Sequence, residues 1–257
     1  MPDQLRGRVA LITGASRNIG RATALAFAAE GADLALNTRV NREELEAVAA
    51  ECRKHGVRVV TVLADVADAA AVEKMVAQGF AALGAIDVLV CNAAIRPHKP
   101  ITETSLEEWH HVLAVNLHAA FYLARAVVPG MKERGRGSII ALGGMSSLTG
   151  RPNTTAVTTA KTGLLGLIRA LAAELGPFGI RANMVVPGFI DTERRYTEWY
   201  PEFREAAPGS PEELKKVPLR RLGRPDDIAD ACLFLASDAS AYVTGDTIRV
   251  MGGRVIG

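Results

Sequence analysis

The stretch Thr13-Gly14-Ala15-Ser16-Arg17-Asn18-Ile19-Gly20-Arg21-Ala22 lies between an apolar run and a helical pattern near the start of the chain. Gly14 and Gly20 frame a tight turn. With few side chains in the way, backbone N–H groups and the N-terminus of the next helix can meet an anion, and a pyrophosphate fits that geometry. A glycine pair alone is a weak sign, but its placement in a strand–turn–helix makes it stronger. Plain packing of helix on strand is the competing reading, and the setting favours it less.

The elements that must hold this loop alternate almost throughout. Arg8–Thr13 reads as a buried strand and Ala22–Gly31 as a helix stopped by glycine. Asp33–Asn37 is a second strand, Glu43–His55 a charged amphipathic helix ending at Gly56, and Val57–Asp65 a third strand. Ala69–Leu83 is a helix ending at Gly84, followed by a strand at Ile86–Asn92. Ser105-Leu106-Glu107-Glu108 matches a capping box and opens a helix running towards Arg134. Gly137–Leu142 is a strand, Thr158–Leu175 a helix, Ile180–Val186 a strand, Pro225–Ser237 a helix and Asp246–Met251 a last strand. Strands that are apolar on both faces and separated by helices imply a parallel sheet covered on both sides. The expectation is a single α/β domain of the Rossmann-like, doubly wound type with about seven strands. Phe189–Pro218 is the one irregular region.

Composition narrows the function classes. The 257 residues are 49% hydrophobic, which suits one larger globular domain. Charges are mixed in sign and sum to +2, so there is no field from which to argue nucleic-acid or membrane binding. The short basic clusters Lys132–Arg136 and Leu219–Arg224 read as solvated surface. Cys52, Cys91 and Cys232 are odd in number and far apart, as reduced thiols are, and make neither a disulfide frame nor a metal site. Met1–Arg6 has no apolar signal core, and no uninterrupted apolar window reaches the length of a membrane span. A soluble, cytoplasmic protein is expected.

The glycine spacing of the loop is where the chain begins to resemble the short-chain dehydrogenase/reductase family, 3-oxoacyl-carrier-protein reductases among them. The resemblance then covers nearly the whole length. Leu63–Val66 is similar to the family's adenine contact, through Asp65 and Val66. Cys91–Ile95 resembles its Asn-Asn-Ala-Gly turn, with Asn92 and Ala93 kept and Ala94 in place of glycine. Asn116 falls on the family's helix asparagine. Val186–Thr192 resembles the Pro-Gly segment over the nicotinamide, through Pro187, Gly188, Ile190 and Thr192. The segments around Arg221–Ala229 and Tyr242–Gly253 resemble the last helix and strand. The resemblance implies a dinucleotide cofactor on Gly14, Ser16, Arg17, Asn18, Ile19 and Gly20, and a homotetramer built on the long central helices and last strand.

Asn18 replaces the middle glycine of the loop. Asparagine tolerates left-handed backbone better than most residues, so the turn can survive. The second strand ends in Asn37-Thr38-Arg39, where an acidic residue would hold both ribose hydroxyls and repel a 2′-phosphate. Arg39 can fork to a phosphate, and Arg17 can help from the other side. This favours NADP(H) over NAD(H); a solvated turn arginine is the bland alternative.

In the family a tyrosine hydroxyl gives or takes the proton and a serine hydroxyl orients the substrate oxygen. A lysine holds the nicotinamide ribose and lowers the tyrosine pKa, and the helix asparagine holds a water in a proton relay. By the resemblance Lys161 and Asn116 match, whereas the serine position is Gly144 and the tyrosine position Val157. General acid–base catalysis is worth roughly 10²–10⁴-fold, and one oxyanion donor about 3 kcal/mol. Ordinary carbonyl reduction is therefore expected to be impaired unless another group steps in. Ser146 and Ser147, Thr154, Thr155 and Thr158, His98, and Tyr196 and Tyr200 are the candidate substitutes.

Phe189–Pro218 falls where the family has its substrate lid. There Tyr196, Trp199, Tyr200 and Phe203 recur at roughly helical spacing beside Arg194, Arg195 and Arg204. Three readings stay open. The first is an NADP-dependent oxidoreductase with a relocated proton donor, or with a substrate that needs none. The second is a catalytically silent NADP-binding sensor or supporting subunit of a mixed oligomer. The third, a non-redox enzyme on this fold, fits least, because the nucleotide site is the part that is kept.

Overall fold

The computed structural model describes residues 3–193 and 209–255. Seven strands are β1 (Val9–Ile12), β2 (Asp33–Thr38), β3 (Val59–Leu63), β4 (Val88–Cys91), β5 (Gly137–Leu142), β6 (Ile180–Pro187) and β7 (Thr247–Val250). They form one sheet in the order β3-β2-β1-β4-β5-β6-β7, and every neighbouring pair is parallel. The order reverses between β1 and β4, so the connections leave β1 in opposite directions and open a crevice at the strands' C-terminal ends. This is the doubly wound α/β sheet expected from the alternation of apolar runs and helices.

Helices α1 (Asn18–Ala29), α2 (Arg42–Arg53), α3 (Ala69–Leu83), α4 (Leu106–Leu113), α5 (Ala119–Arg134), α6 (Ser146–Thr149), α7 (Thr155–Leu175), α8 (Pro211–Lys215) and α9 (Pro225–Ala236) complete the described residues. The sheet divides the core in two. Phe27 of α1, Leu45 of α2 and Leu235 of α9 pack on one face with Ile12 and Leu34. Val76 of α3, Leu123 of α5 and Leu164 of α7 pack on the other with Leu11 and Ile139. Each such side chain taken from water contributes about 1.5–3 kcal/mol. β1 and β4 are buried along their whole length, which is why they read as unbroken apolar runs.

Local signals set the boundaries. Asp68 caps α3 through Ala70 and Ala71, and Gly84 ends it in the left-handed conformation. Ser105 and Glu108 make the reciprocal capping box of α4. The helical stretch beyond it is not continuous: a π turn at Ala114–His118 separates α4 from α5. α1 begins at Asn18, inside the loop and ahead of the expected Ala22, so its N-terminus reaches the crevice. α7 likewise begins at Thr155 rather than Thr158. The region expected to be irregular contains α8, capped by Ser210. The aromatic and basic residues expected on the lid (Arg194, Arg195, Tyr196, Trp199, Tyr200, Phe203 and Arg204) lie outside the described residues.

Two stretches, Leu106–Arg134 and Thr155–Phe178, are long and apolar enough to cross a membrane by length and composition. The expectation from the sequence concerned uninterrupted apolar runs, whereas these helices qualify on average hydropathy with charged residues among them. Much of their apolar surface faces the sheet, where Leu123, Val127 and Met131 of α5 and Leu164, Ile168 and Leu175 of α7 are buried.

Candidate active site

The loop after β1 closes by direct contact of backbone on backbone. Gly14 has φ +63°, and a Cβ built on Gly20 would lie 2.1 Å from the Gly14 carbonyl oxygen. Asn92, just past β4, donates its amide to the carbonyls of Thr13 at 2.8 Å and Gly14 at 3.0 Å. The Thr13 hydroxyl accepts the N–H groups of Asn92 and Ala93. Two adjacent strand ends are thus stitched together under the turn. No side chain caps the N-terminus of α1, which leaves its first N–H groups available to an anion. Nη1 of Arg17 is buried with no hydrogen-bond partner. Asn18 adopts φ +49°, as its tolerance of left-handed backbone allows. Its amide also exchanges two hydrogen bonds with the backbone of Glu193, at 3.1 and 3.0 Å.

At the end of β2 the three polar residues separate by task. Asn37 is buried, and its amide is spent on the carbonyls of Thr38, Val62 and Ala64, joining β2 to β3. Thr38 sits 3.4 Å from the Ser16 hydroxyl, and Arg39 is exposed at the rim. Glu44, from the first turn of α2, lines the same end. Asp65 accepts the Ala67 N–H at 2.9 Å, fixing the turn after β3, and Val66 beside it is buried.

These groups open into one cavity of about 960 Å³, at the upper end of small-molecule pockets. It gathers every residue named from the sequence for the cofactor: the loop, the ends of β2, β3 and β4, Lys161, and the Pro187–Thr192 segment. A cleft of about 280 Å³ lies at the opposite end of the strands, among Arg8, Arg136 and Arg181, away from the glycine loop. Among the described residues no group of three or more His, Cys, Asp or Glu could hold a metal ion.

The far end of the cavity is built on α7, the turn after β5 and the loop after β4. Lys161 is 4% exposed, and its ammonium donates to the Leu142 carbonyl at 2.6 Å. Burial, and next the Arg96 charge, push its pKa down from 10.5 to about 8, while Cys91 acts the other way. The thiol of Cys91 is itself pushed up to about 12 by burial. Val157, one helical turn before Lys161, is buried with Val112 and Ala160 against Ile95, Trp109 and Leu113. Gly144 is open: a Cβ there would meet nothing nearer than the Ser146 hydroxyl at 3.9 Å.

Asn116 does not line the cavity. It sits in the π turn, buried, and its amide accepts the Ile95 N–H at 2.9 Å and donates to the Ile95 carbonyl at 2.7 Å. It holds the β4–α4 loop. Of the candidate proton donors, His98, Ser146 and Thr154 line the cavity, whereas Ser147, Thr155 and Thr158 do not. Ser147 bends its own loop by donating to the Gly144 carbonyl. The Thr154 proton goes to the Arg151 carbonyl at 2.7 Å, which leaves that hydroxyl an acceptor towards Thr158. Tyr196 and Tyr200 are outside the described residues.

Sequence reasoning missed Arg96, Glu213 and Arg254, which also line this end. Arg254 lies over the Phe189 ring at 4.0 Å and pairs with Glu213 at 2.9 Å, and its Nη1 is buried without a partner. The only signal for it was the Gly252-Gly253 pair, whose positive φ values turn the chain back at the end of β7.

A sequence profile described as enoyl-(acyl carrier protein) reductase matches residues 14–254. The chain is 38% identical over 254 residues to the 3-oxoacyl-[acyl-carrier-protein] reductase FabG of Thermotoga maritima, covering 98% of this chain and 100% of the relative. It is 37% identical to the L-rhamnose 1-dehydrogenase (NAD(P)(+)) of a Sphingomonas species, covering 98% of each. A solved short-chain type dehydrogenase/reductase from Mycobacterium marinum superposes with a TM-score of 0.88 at 34% identity, covering 98% of this chain and 97% of that one. The chain belongs to the short-chain dehydrogenase/reductase family. Its doubly wound sheet is that of this family of oxidoreductases.

Two glycines of the cavity, Gly20 and Gly144, respond differently to an added methyl. Gly20→Ala drives a Cβ into backbone and is expected to cost about 1–3 kcal/mol of stability and most of the affinity for a nucleotide. Gly144→Ala is expected to stay within about 0.5 kcal/mol. Urea unfolding of the two variants beside the parent measures the contrast; equal losses would contradict the assigned contact.

Proposed function

We propose that the chain is an NADP(H)-dependent oxidoreductase that works without the hydroxyl pair its relatives' pattern puts beside the substrate oxygen. The observation that carries this is the contrast within one cavity. One end has the glycine turn, the uncapped N-terminus of α1 and Arg17 with Arg39, and the far end has the buried Lys161 together with Gly144 and Val157. The preference for the 2′-phosphate rests on Arg17 and Arg39 with the Ser16 and Thr38 hydroxyls. Arg17 and Arg39 bring two guanidinium groups to this end of the cavity. An anion at this end also gives the buried Nη1 of Arg17 a partner.

A bound NADPH supplies the hydride. The chain's part is to position and polarise: Gly14 to Gly20 and the N-terminus of α1 take the pyrophosphate, and Lys161 takes the nicotinamide ribose hydroxyls. Asn116 acts as a positioning residue through the Ile95 backbone rather than by touching cofactor or substrate. Val157 has no proton to give, so the substrate is one whose reduction needs little acid assistance, or whose charge is met by cations. The family's assembly extends the reading to a homotetramer, or to a place in a mixed oligomer. Phe121 on α5, Phe178 beyond α7 and Tyr242 near β7 are exposed apolar groups on the helices and edge concerned, and light scattering reads the mass.

Calorimetric titration tests the cofactor: NADPH is expected to bind at least roughly tenfold tighter than NADH, the value of one charge-assisted contact. Binding of neither nucleotide would sink the reading. Gly144→Ser combined with Val157→Tyr tests the rest. NADPH-dependent reduction of an acetoacetyl thioester is expected to rise by about 10²-fold or more on restoring the hydroxyls. No change in the presence of tight NADPH binding would favour a silent nucleotide-binding protein.

A further inference from the structure

We infer that Asn18 is a positioning residue for the nicotinamide half of the nucleotide, which it serves by holding the backbone beside Thr192. This rests on the NADP(H) reading and adds to it a residue that joins two walls of the cavity. The side-chain amide of Asn18 donates to the Glu193 carbonyl at 3.1 Å and accepts the Glu193 N–H at 3.0 Å. Its partner lies 175 residues further along the chain. One amide bound to both the N–H and the C=O of a single residue copies the exchange between paired residues of neighbouring antiparallel strands. Such a pair fixes the orientation of the Glu193 backbone as well as its distance.

The turn itself does not ask for asparagine. Its φ of +49° is one that glycine adopts freely, so what the side chain adds is the reach to Glu193. Asn18 is the first residue of α1, at the helix end assigned to the pyrophosphate, and it lines the cavity together with Thr192 and Glu193. The segment leading to Glu193 is pinned separately at its start. The Gly188 N–H donates to the Val250 carbonyl of β7 at 2.9 Å. Gly223 donates to the Phe189 carbonyl at 2.9 Å and accepts the Asp191 N–H at 2.8 Å, and Ile190 between them is buried. Thr192 therefore stands between a stretch fixed to β7 and Gly223 and a residue fixed to α1. A threonine held from both sides is a preorganised partner for the carboxamide. Asn18 ties its place to the helix end that takes the pyrophosphate, so the two halves of the nucleotide are gripped in a set relation.

The test compares two ligands on the full chain by calorimetry: NADPH, and adenosine 2′,5′-bisphosphate, which carries the adenine and both phosphate positions but no nicotinamide. Asn18→Gly keeps the left-handed turn and removes the reach, and urea unfolding checks that it is folded. NADPH binding is expected to weaken about tenfold, the worth of a pair of partly solvated hydrogen bonds. Binding of the bisphosphate is expected to stay within about twofold, less than one such bond is worth. A merely structural role in the turn would weaken both ligands alike. Equal weakening of the two, or no weakening of either, would overturn the inference and leave the cofactor reading intact. A parent protein that binds neither ligand would overturn the cofactor reading, and the inference with it.

Discussion

The contact between Gly20 and the Gly14 carbonyl is the constraint on which the site depends. It allows α1 to start at Asn18, directly off β1, with uncapped N–H groups facing the crevice. A longer turn would move that helix end away from the strand ends, and a side chain at Gly20 would force one. Asn92 and Thr13 lock the turn to β4 with four hydrogen bonds among strand ends. These bonds lie at the reversal of strand order, where a doubly wound sheet opens. The glycine turn and the sheet topology are therefore one feature: the same bonds that close the loop join the two halves of the sheet.

At the other end of the cavity burial pushes the Lys161 pKa down to about 8, and the Leu142 carbonyl holds its ammonium. Asn116 supports this end although it does not line the cavity: by clamping Ile95 it fixes the loop that follows β4.

The sheet was legible in the sequence because its central strands β1, β4 and β5 are buried on both faces and its helices end at glycines or begin at caps such as Ser105 and Asp68. The residues of the cradle were legible because backbone needs (positive φ at Gly14, no Cβ at Gly20) restrict residue type sharply. The π turn at Ala114–His118 was not, since its residues continue a helical apolar pattern. Nor was Arg96, which the chain order sets beside a more conspicuous histidine, or Arg254, whose relation to Glu213 and Phe189 spans a long stretch of chain. Charge pairs between distant segments leave no local pattern to read. Asn37 shows the converse: a polar residue at a suggestive place, spent on three backbone carbonyls.

A crystal structure of the chain grown with NADPH addresses the central claim most directly. The account predicts the pyrophosphate on the N-terminus of α1, the 2′-phosphate between Arg17 and Arg39, the ribose on Lys161, and no protein hydroxyl within hydrogen-bond reach of the substrate oxygen beside Val157 and Gly144. A dinucleotide bound away from the Gly14–Gly20 turn, or a serine, threonine or tyrosine hydroxyl of this chain within hydrogen-bond reach of a substrate oxygen beside Val157 and Gly144, would contradict it.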